Sequence, residues 1–235
     1  GRSPPSTHPT TTSKPSDLRA PGRVEPTPIG HCSGMTDDTR LWGRETDRAI
    51  ANFRISGEPM PAGVIRWLAA IKAAAASANV TLGVLDATVG ASIEQAARRI
   101  VAGEHADQFP VDVFQTGSGT SSNMNVNEVL STLTGGAAHP NDHVNLGQSS
   151  NDVVPAAVQL AALQAITGEL LPSVAALAGS IRALAAANPD VVKPGRTHLM
   201  DAVPVLLADE LESWAAQLDE VSEQIAAVRT PLARL

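Results

Sequence analysis

Three short segments combine hydroxyl, amide and glycine residues within an otherwise alanine-rich chain. They are GSGTSSN at 117–123, QSSND at 148–152 and KPGRTH at 193–198. In the first segment two glycines permit a close approach of the backbone, and Ser118 and Thr120 supply hydroxyl donors. A loop of this composition could hold an oxyanion.

The second segment leads directly into a long run of helical periodicity, so Ser149, Ser150 and Asn151 fall at a helix start. The free N–H groups and the positive dipole end of a helix attract a carboxylate or a phosphate. The third segment adds charge and the imidazole of His198, a group suited to proton transfer near neutral pH. Together the segments indicate a small anionic substrate with a histidine available for proton transfer.

Each segment also has a purely structural interpretation. Gly-Ser loops serve as linkers, Ser-Ser-Asn-Asp is a common helix cap, and a single histidine in a loop is commonly solvated. The cluster His139, Asn141, Asp142 and His143 poses a similar choice, because His and Asp are metal ligands. Pro140 breaks the helix that would align residues four apart, and no cysteine or carboxylate cluster accompanies the pair. We therefore interpret this segment as a turn.

Helices must position these segments. Residues 64–79 predict a helix, because they are rich in alanine, which loses no side-chain entropy in a helix. A second helix is predicted over 86–102, with Asp86 as its N-cap and Gly103 just past its end.

Two longer helices are predicted downstream. The first begins at the capping residues 149–152 and runs to about residue 187, where Asn188-Pro189 ends it. The second is predicted from about Val203, because apolar residues then recur in alternating steps of four and three, a heptad pattern. They are Leu207, Leu211, Trp214, Leu218, Val221, Ile225 and Val228. Helices of this length need partners, so we expect an elongated bundle shared between subunits; the alternative is a bundle that later helices of the same chain complete.

Composition excludes several classes of function. The 235 residues carry a net charge of −7 and no basic stripe interleaved with aromatic residues, so a nucleic-acid partner is not expected. Cys32 is the only cysteine, which excludes an internal disulfide and suits a reducing compartment. No apolar run approaches the roughly 20 residues of a membrane-spanning helix, so we expect a soluble protein.

The first 22 residues, rich in Pro, Ser and Thr, are predicted to be disordered, because they cannot bury enough surface to offset their ordering entropy. Seven prolines up to Pro28 argue against the amphipathic helix of a transit peptide. The helical pattern is still running at Leu235, so we interpret the chain as a fragment.

Three longer stretches carry a resemblance to a known family: TGSGTSSNMNVNEV at 116–129, HPNDHVNLGQSSND at 139–152 and KPGRTHLMDAVPV at 193–205. In order and in length they resemble three successive motifs of class II fumarases, members of the fumarase/aspartase superfamily. The likeness extends upstream through 41–57. Aspartases typically read Asn-Pro-Asn-Asp, Gln-Ser-Thr-Asn-Asp and Gly-Arg-Thr-Gln at these places. His139, Ser150 and His198 favour fumarase.

The resemblance implies a mainly α-helical fold, with an N-terminal lyase domain at 23–147 and part of a central bundle of long helices at 148–235. It implies a homotetramer in the cytoplasm rather than the mitochondrion. Such an enzyme interconverts fumarate and L-malate in the tricarboxylic acid cycle by adding or removing water, without a metal or an organic cofactor. A membrane partner is not expected.

The resemblance also assigns roles to residues. Those that would bind the substrate carboxylates are Ser118, Gly119, Thr120, Ser149, Ser150, Asn151 and Thr197. His198 would polarise the water that is added or lost. A second dicarboxylate site would include His139, Pro140, Asn141 and Asp142.

The chain departs from the family pattern in three places. The mobile loop that carries the family's serine base, Gly-Ser-Ser-x-Met-Pro-x-Lys-x-Asn, is absent, so we expect no catalysis by this polypeptide alone. Residues 208–210 read Ala-Asp-Glu where Gly-Gln-Glu is usual, and residues 135–138 read Gly-Gly-Ala-Ala where some members place Lys or Arg nearby. Two alternatives remain open: an aspartate ammonia-lyase, and a non-catalytic helical assembly module.

Overall fold

Alanine-rich and well-capped segments make the chain mainly α-helical over residues 40–234, the part that the computed structural model describes. The helices are α1 (Arg44–Asn52), α2 (Ala62–Thr81), α3 (Ala87–Val101), α4 (Thr120–Leu133), α5 (Ser150–Ala165), α6 (Leu171–Ala187), α7 (Leu207–Ala227) and α8 (Arg229–Leu232). A 3₁₀ turn (Ala106–Gln108), two π-helical turns (Pro140–Val144 and Ile166–Leu170) and strands β1 (Val192–Thr197) and β2 (Met200–Leu206) complete the order. The predicted fold class is confirmed, whereas the predicted disordered segment 1–22 lies outside the described residues.

Both of the shorter predicted helices are confirmed. α2 covers the predicted 64–79, and α3 follows Asp86, which is its N-cap. The Asp86 carboxylate accepts hydrogen bonds from the backbone N–H groups of Val89 and Thr88, which lower the pKa of Asp86. Gly103 follows the helix with a φ of 94°, a conformation that residues with a side chain rarely adopt.

The packing of α2 against α3 forms much of the core. Their buried side chains include Leu68, Ala69, Ile93, Ala97 and Ile100. Gly90 of α3 allows the close approach, since a Cβ there would lie 2.3 Å from Cγ2 of Val80. α2 also packs against α5, where the Trp67 indole N–H donates to Oε1 of Gln164 at 2.7 Å. α2 therefore connects the core to the long helix.

The carboxylate of Glu128, on α4, holds the start of α1. It accepts hydrogen bonds from the N–H groups of Gly43, Glu45 and Thr46 at 2.9, 3.0 and 3.1 Å, and from the Thr46 hydroxyl at 2.6 Å. The first N–H groups of a helix have no partner within that helix, and a negative charge near them is favourable. Glu128 thus caps α1 from a distant part of the sequence.

Asp112 plays the same role for a loop. Its carboxylate accepts from the N–H groups of Ser56, Gly57 and Phe114 at 2.7, 2.8 and 2.8 Å, and from the Ser56 hydroxyl at 3.0 Å. Burial acts to raise the pKa of Asp112, but these hydrogen bonds outweigh burial and lower it to about 2. Asp112 therefore anchors the segment that leads into the first hydroxyl-rich loop.

The long helix predicted from 149 to about 187 is confirmed as one continuous rod made of α5, a π-helical turn and α6. Ser149 is its N-cap, and the rod ends at Ala187, before Asn188 and Pro189. The π-helical turn comes just before Pro172, whose ring would clash with the carbonyl four residues earlier in a regular helix. The wider turn lets the rod continue past that proline.

This rod, Ser150–Ala187, is 38 residues long and apolar enough, by length and composition, to cross a membrane. The expectation that no segment of this kind exists is therefore wrong, because Ser, Gln and Gly interrupt the apolar run without adding charge. Only 11% of its most apolar window is buried in the described chain, and Leu177 and Leu184 are each 52% exposed. Open apolar surfaces of this kind are typical of contacts with a protein or a membrane.

The second long helix begins at Leu207, and the predicted start near Val203 is wrong. Residues 192–206 instead form an antiparallel hairpin. Its paired ends are Val192 with Leu206 and Thr197 with Met200. Val203 and Val205 are β-branched and favour a strand, and Pro204 is disfavoured inside a helix. The heptad pattern located α7 correctly but not the point where it starts.

α7 packs along α6, but much of its apolar face stays uncovered. Arg182 of α6 pairs with Asp219 and with Glu212, the latter at 3.7 Å. The buried contact residues are small or few: Ala178, Ala185, Leu211 and Ala215. By contrast, Trp214 and Val221 of the heptad pattern are 50% and 45% exposed. The predicted division into domains at 147/148 and the sharing of the bundle between subunits stay predictions.

Candidate functional site

The amino-terminal ends of α4 and α5 meet and bring the first two hydroxyl-rich segments together. Thr120 is the first residue of α4 and Ser150 the first of α5, and their hydroxyl oxygens lie 2.8 Å apart. The Ser118 hydroxyl oxygen lies 2.7 Å from that of Thr120. We call these three side chains the hydroxyl cluster. It joins predicted site residues that are 30 positions apart in the sequence.

Gly119 sets how closely the two segments approach. Its φ is 66°, and a Cβ at this position would lie 2.6 Å from Cγ1 of Val154 on α5. Only glycine fits a left-handed conformation with so little space. The geometry gives Gly119 a conformational role, and its contact with a substrate stays a prediction.

Gln115, which the sequence did not single out, shapes the loop ahead of α4. Its side-chain oxygen accepts from the Ser122 N–H at 2.9 Å. Its side-chain nitrogen donates to the Ser122 hydroxyl at 2.7 Å and to the Asp112 carbonyl at 2.9 Å. The loop that carries Ser118 is therefore fixed at both ends. A glutamine carries no distinctive sequence signal, because this residue is usually exposed.

The two helix starts also present backbone donors beside the hydroxyl cluster. Ser149 caps α5 by accepting a hydrogen bond from the Asn151 N–H at 3.3 Å. Within residues 40–234, the N–H groups of Thr120, Ser121 and Ser150 have no acceptor. Free N–H groups and two positive dipole ends attract an anion. The arrangement can hold a carboxylate with neutral donors alone.

An open cleft of about 430 Å³ lies beside the hydroxyl cluster. The residues that line it are Gly117, Ser118, Asn151, Val154, Pro155, Val158 and Gln159. Its lining thus combines predicted site residues with an apolar wall from the first turns of α5. A small molecule that joins a carboxylate to a short carbon skeleton suits such a cleft.

Thr197 and His198 lie at the tip of the β1–β2 hairpin. His198 and Leu199 form the turn, with φ values of 51° and 60°, and both side chains are exposed. Among the described residues, neither Thr197 nor His198 lines the cleft or hydrogen-bonds to the hydroxyl cluster. The described chain therefore does not bring the imidazole of His198 to the hydroxyl cluster.

The two cations of the third segment, Lys193 and Arg196, lie on β1 and each forms an ion pair. Lys193 pairs with Glu210 on α7 at 2.6 Å, and Arg196 pairs with Asp201 of β2 at 3.1 Å. Leu207 also donates its N–H to the Val191 carbonyl at 2.9 Å. The contacts of Lys193 and Leu207 fasten the base of the hairpin to α7, whereas the Arg196 pair joins the two strands near the tip.

The segment expected to form a second dicarboxylate site is a capped turn. Nδ1 of His139 accepts a hydrogen bond from the Asp142 N–H at 3.2 Å and lies 3.1 Å from Oδ2 of Asp142. Both side chains are more than half exposed. Pro140 follows the cap, where its missing N–H costs nothing. The site made of His139, Pro140, Asn141 and Asp142 stays a prediction.

Within residues 40–234, no group of three His, Cys, Asp or Glu side chains is placed to hold a metal ion.

Lys72 is a second residue that the sequence did not single out. It is fully buried on α2, and its ammonium donates to Oδ1 of Asn145 and Oε1 of Gln148, each at 3.3 Å. Burial lowers the pKa of Lys72 to about 7. A lysine in an alanine-rich helix suggests an exposed position, so no sequence pattern points to this contact.

Several known proteins that resemble this chain in sequence and in structure are lyases. The model of the lyase family matches residues 32–235. A class II fumarate hydratase from Xylella fastidiosa (strain Temecula1) is 54% identical over 182 residues, which cover 76% of this chain and 38% of the relative. A class II fumarate hydratase from Nitrosomonas europaea is 50% identical over 189 residues, covering 76% of this chain and 41% of the relative.

Among solved structures, a class II fumarase from Schistosoma mansoni superposes with a TM-score of 0.78 at 36% identity. The match covers 84% of this chain and 44% of that one. The chain thus spans less than half the length of the relatives named here.

Proposed function

Because this chain belongs to the lyase family, whose model matches residues 32–235, we propose that it carries part of the active site of a class II fumarate hydratase. Such an enzyme adds water reversibly to fumarate to give L-malate. The observation that carries the proposal is the meeting of Thr120 and Ser150, the first residues of α4 and α5, with their hydroxyl oxygens 2.8 Å apart. This contact builds a binding site for an anion from two motifs.

The proposed chemistry explains why the donors are neutral. Removing a proton from the carbon next to a carboxylate places additional negative charge on that carboxylate. Fixed hydroxyls and free helix N–H groups become stronger partners as this charge develops, so they stabilise the transition state more than the bound substrate. In this scheme Ser118, Thr120 and Ser150 bind one carboxylate, and Ser149 and Asn151 position the start of α5 beside it.

We assign to His198 the role of polarising the water that is added or lost. Thr197, beside it, would bind a substrate carboxylate. In the described chain these residues sit at an exposed hairpin tip, whereas the hydroxyl cluster lies at the helix starts. We therefore propose that the hairpin of one copy approaches the hydroxyl cluster of another in a homotetramer. The uncovered apolar faces of α6 and α7 support association between copies.

Two further assignments belong to the same proposal. The exposed pair His139 and Asp142 would bind a second dicarboxylate together with Pro140 and Asn141. A cytoplasmic location, within the tricarboxylic acid cycle, is supported by a chain whose single cysteine, Cys32, excludes an internal disulfide.

Fumarate binding to the isotopically labelled 235-residue chain tests the proposal directly. Saturable shifts are expected at the amide signals of Thr120, Ser121 and Ser150. The double variant Thr120→Val/Ser150→Ala should bind roughly ten- to a hundredfold more weakly, because it loses hydrogen bonds to a charged group.

A matched control is Ser173→Ala, which removes an exposed hydroxyl on α6 that bonds only the Glu169 carbonyl. This variant should bind fumarate as the unaltered chain does. Absence of saturable shifts, or a stronger response to L-aspartate than to fumarate, would contradict the proposed function and, in the second case, favour an aspartate ammonia-lyase.

A further inference from the structure

Lys72 lies in a buried polar network that borders the start of α5. Its ammonium donates to the side-chain oxygens of Asn145 and Gln148, each at 3.3 Å. Oδ1 of Asn145 also accepts from the side-chain amides of Asn123 and Asn127 at 3.1 and 3.3 Å. Lys72 is 0% exposed. The network therefore joins α2, α4 and the turn that precedes Ser149.

The same network fixes the shape of that turn. Asn145 donates its side-chain amide to the Gln148 carbonyl at 3.1 Å, and Gln148 donates its own to the Val144 carbonyl at 2.9 Å. Lys72 thus holds two side chains that close the 144–148 turn on itself. Ser149 and Ser150 follow immediately, so the position of the turn determines where their donors point.

The partners of the ammonium are all neutral. No carboxylate lies within ion-pair distance of Lys72 in the described residues. Charged and titratable groups on the elements packed against α2 have other partners or face solvent. Glu94 pairs with Arg98, Arg99 pairs with Glu104, and Glu128 binds the start of α1. Asp142 and Asp152 are exposed, and Nδ1 of His143 accepts from the His139 N–H. A buried positive charge without a counter-ion is weakly screened and acts on any anion bound nearby.

We propose that Lys72 is a positioning residue for the dicarboxylate site, and that its ammonium both fixes the 144–148 turn and favours the bound dianion. The dianion part of this inference rests on the proposed function. Loss of the Lys72 proton weakens its bonds to Asn145 and Gln148, because hydrogen bonds from a charged donor are stronger than neutral ones. Dianion binding and Lys72 protonation then support each other, as linkage requires.

The first experiment needs no substrate. The side-chain signal of Lys72 and the amide signals of Ser149, Ser150 and Asn151 are followed by NMR between pH 5.5 and pH 9 in the 235-residue chain. A shared midpoint near 7 is expected, in line with the pKa of about 7 for Lys72. Because this measurement uses the unaltered chain, it stands even where a variant fails to fold.

Variants then assign the titration. Lys72→Arg keeps the charge across this pH range and should remove the midpoint from the amide signals of Ser149 and Ser150. Histidine is the side chain that normally changes charge near neutral pH, so His143→Gln is the matched control and should leave the midpoint in place. Retention of the midpoint in Lys72→Arg, or its loss in His143→Gln, would overturn the assignment to Lys72.

The second experiment measures fumarate affinity by calorimetry from pH 6.5 to pH 8.5, where fumarate is a dianion. The dissociation constant of the unaltered chain should rise roughly five- to tenfold over this range, at the lower end of typical coupling between sites. Lys72→Arg should flatten the profile, and His143→Gln should not. A flat profile in the unaltered chain, with Lys72 titrating, would reject the link to the dianion.

The two experiments separate the two proposals. If no fumarate binds at any pH, the proposed function fails, while the amide titration still decides whether Lys72 positions the turn. If fumarate binds but the amide signals of Ser149 and Ser150 do not follow Lys72, the proposed function stands and the positioning role is rejected.

Discussion

Individual residues determine the geometry of the hydroxyl cluster. Gly119 lets the loop before α4 touch Val154, Gln115 fixes the same loop from its other end, and Ser149 caps α5. Ser118, Thr120 and Ser150 could be singled out from the sequence because Ser, Thr and Asn are typical at helix starts. Gln115 and Lys72 were not visible, because their roles depend on contacts between segments that are far apart in the sequence.

Gly119→Ala should lower the free energy of unfolding by about 3 kcal/mol, since it adds left-handed strain and an overlap with Val154. The measurement is urea denaturation followed by circular dichroism. Gly117→Ala is the matched control, because a Cβ at Gly117 would meet nothing within 4 Å, and it should change stability by less than about 0.5 kcal/mol. Equal effects at both positions would show that the close approach of α4 and α5 is not limited by Gly119.

Asp112→Asn should lower the stability of the chain at pH 7. The stability difference between the variant and the unaltered chain should largely disappear near pH 2. The pKa of Asp112 is lowered to about 2 in the folded chain, below its ordinary value of 3.8. Its contribution to stability is therefore complete above about pH 4 and is lost as the pH falls towards 2.

Melting temperatures at pH 7, 4 and 2.5 check this prediction for Asp112. Asp190→Asn, at an exposed loop position, is the control and should follow the unaltered chain throughout. A gap between Asp112→Asn and the unaltered chain that stays constant with pH would contradict the role given to the carboxylate.

At the level of elements, most of the long helices were predicted, whereas α1, α4 and the hairpin were not. Alanine content, caps and periodicity act locally, so they located α2, α3 and the rod from Ser150 to Ala187. The β1–β2 hairpin depends on pairing between two short segments. Its turn, His198-Leu199, contains neither Gly nor Asn, the residues that usually indicate a hairpin turn in a sequence. The meeting of the ends of α4 and α5 was not predicted, because helical periodicity contains no information about which helix ends adjoin.

Leu199→Gly should stabilise the hairpin by roughly 0.5–1 kcal/mol, because Leu199 has a φ of 60° and a fully exposed side chain, a combination that favours glycine. Thermal unfolding and the amide exchange rates of β1 and β2 provide the measurement. Met200→Gly is the control and should destabilise the hairpin, because Met200 lies in the strand opposite Thr197. Destabilisation by Leu199→Gly would show that the side chain of Leu199 has a contact outside the described chain.

At the scale of the whole described chain, apolar helix surface exceeds what one copy covers. Leu177 and Leu184 on the rod and Trp214 and Val221 on α7 are all at least 45% exposed. The hydroxyl cluster and the imidazole of His198 are likewise not brought together within one chain. Both observations favour assembly of several copies, and the heptad pattern had predicted this need for partners from sequence alone.

The 235-residue chain should therefore self-associate at micromolar concentration, as measured by light scattering after size-exclusion chromatography. Leu177→Glu/Leu184→Glu should shift the chain towards monomer, because a buried unpaired charge opposes association. Leu82→Glu/Val84→Glu, at exposed positions after α2, is the matched control and should leave the association unchanged. A clean monomer that floats with lipid vesicles would instead assign the rod to a membrane.

The fit of Gly119 against Val154 has a practical consequence for redesign. Residues 117–123, which include the first turn of α4, pack tightly against the first turns of α5, so exchanging either for the sequence of a relative would leave a gap or an overlap at their contact. Redesign of the proposed dicarboxylate site would therefore require exchanging both stretches together, because libraries that vary them independently would consist mostly of chains in which the two no longer fit.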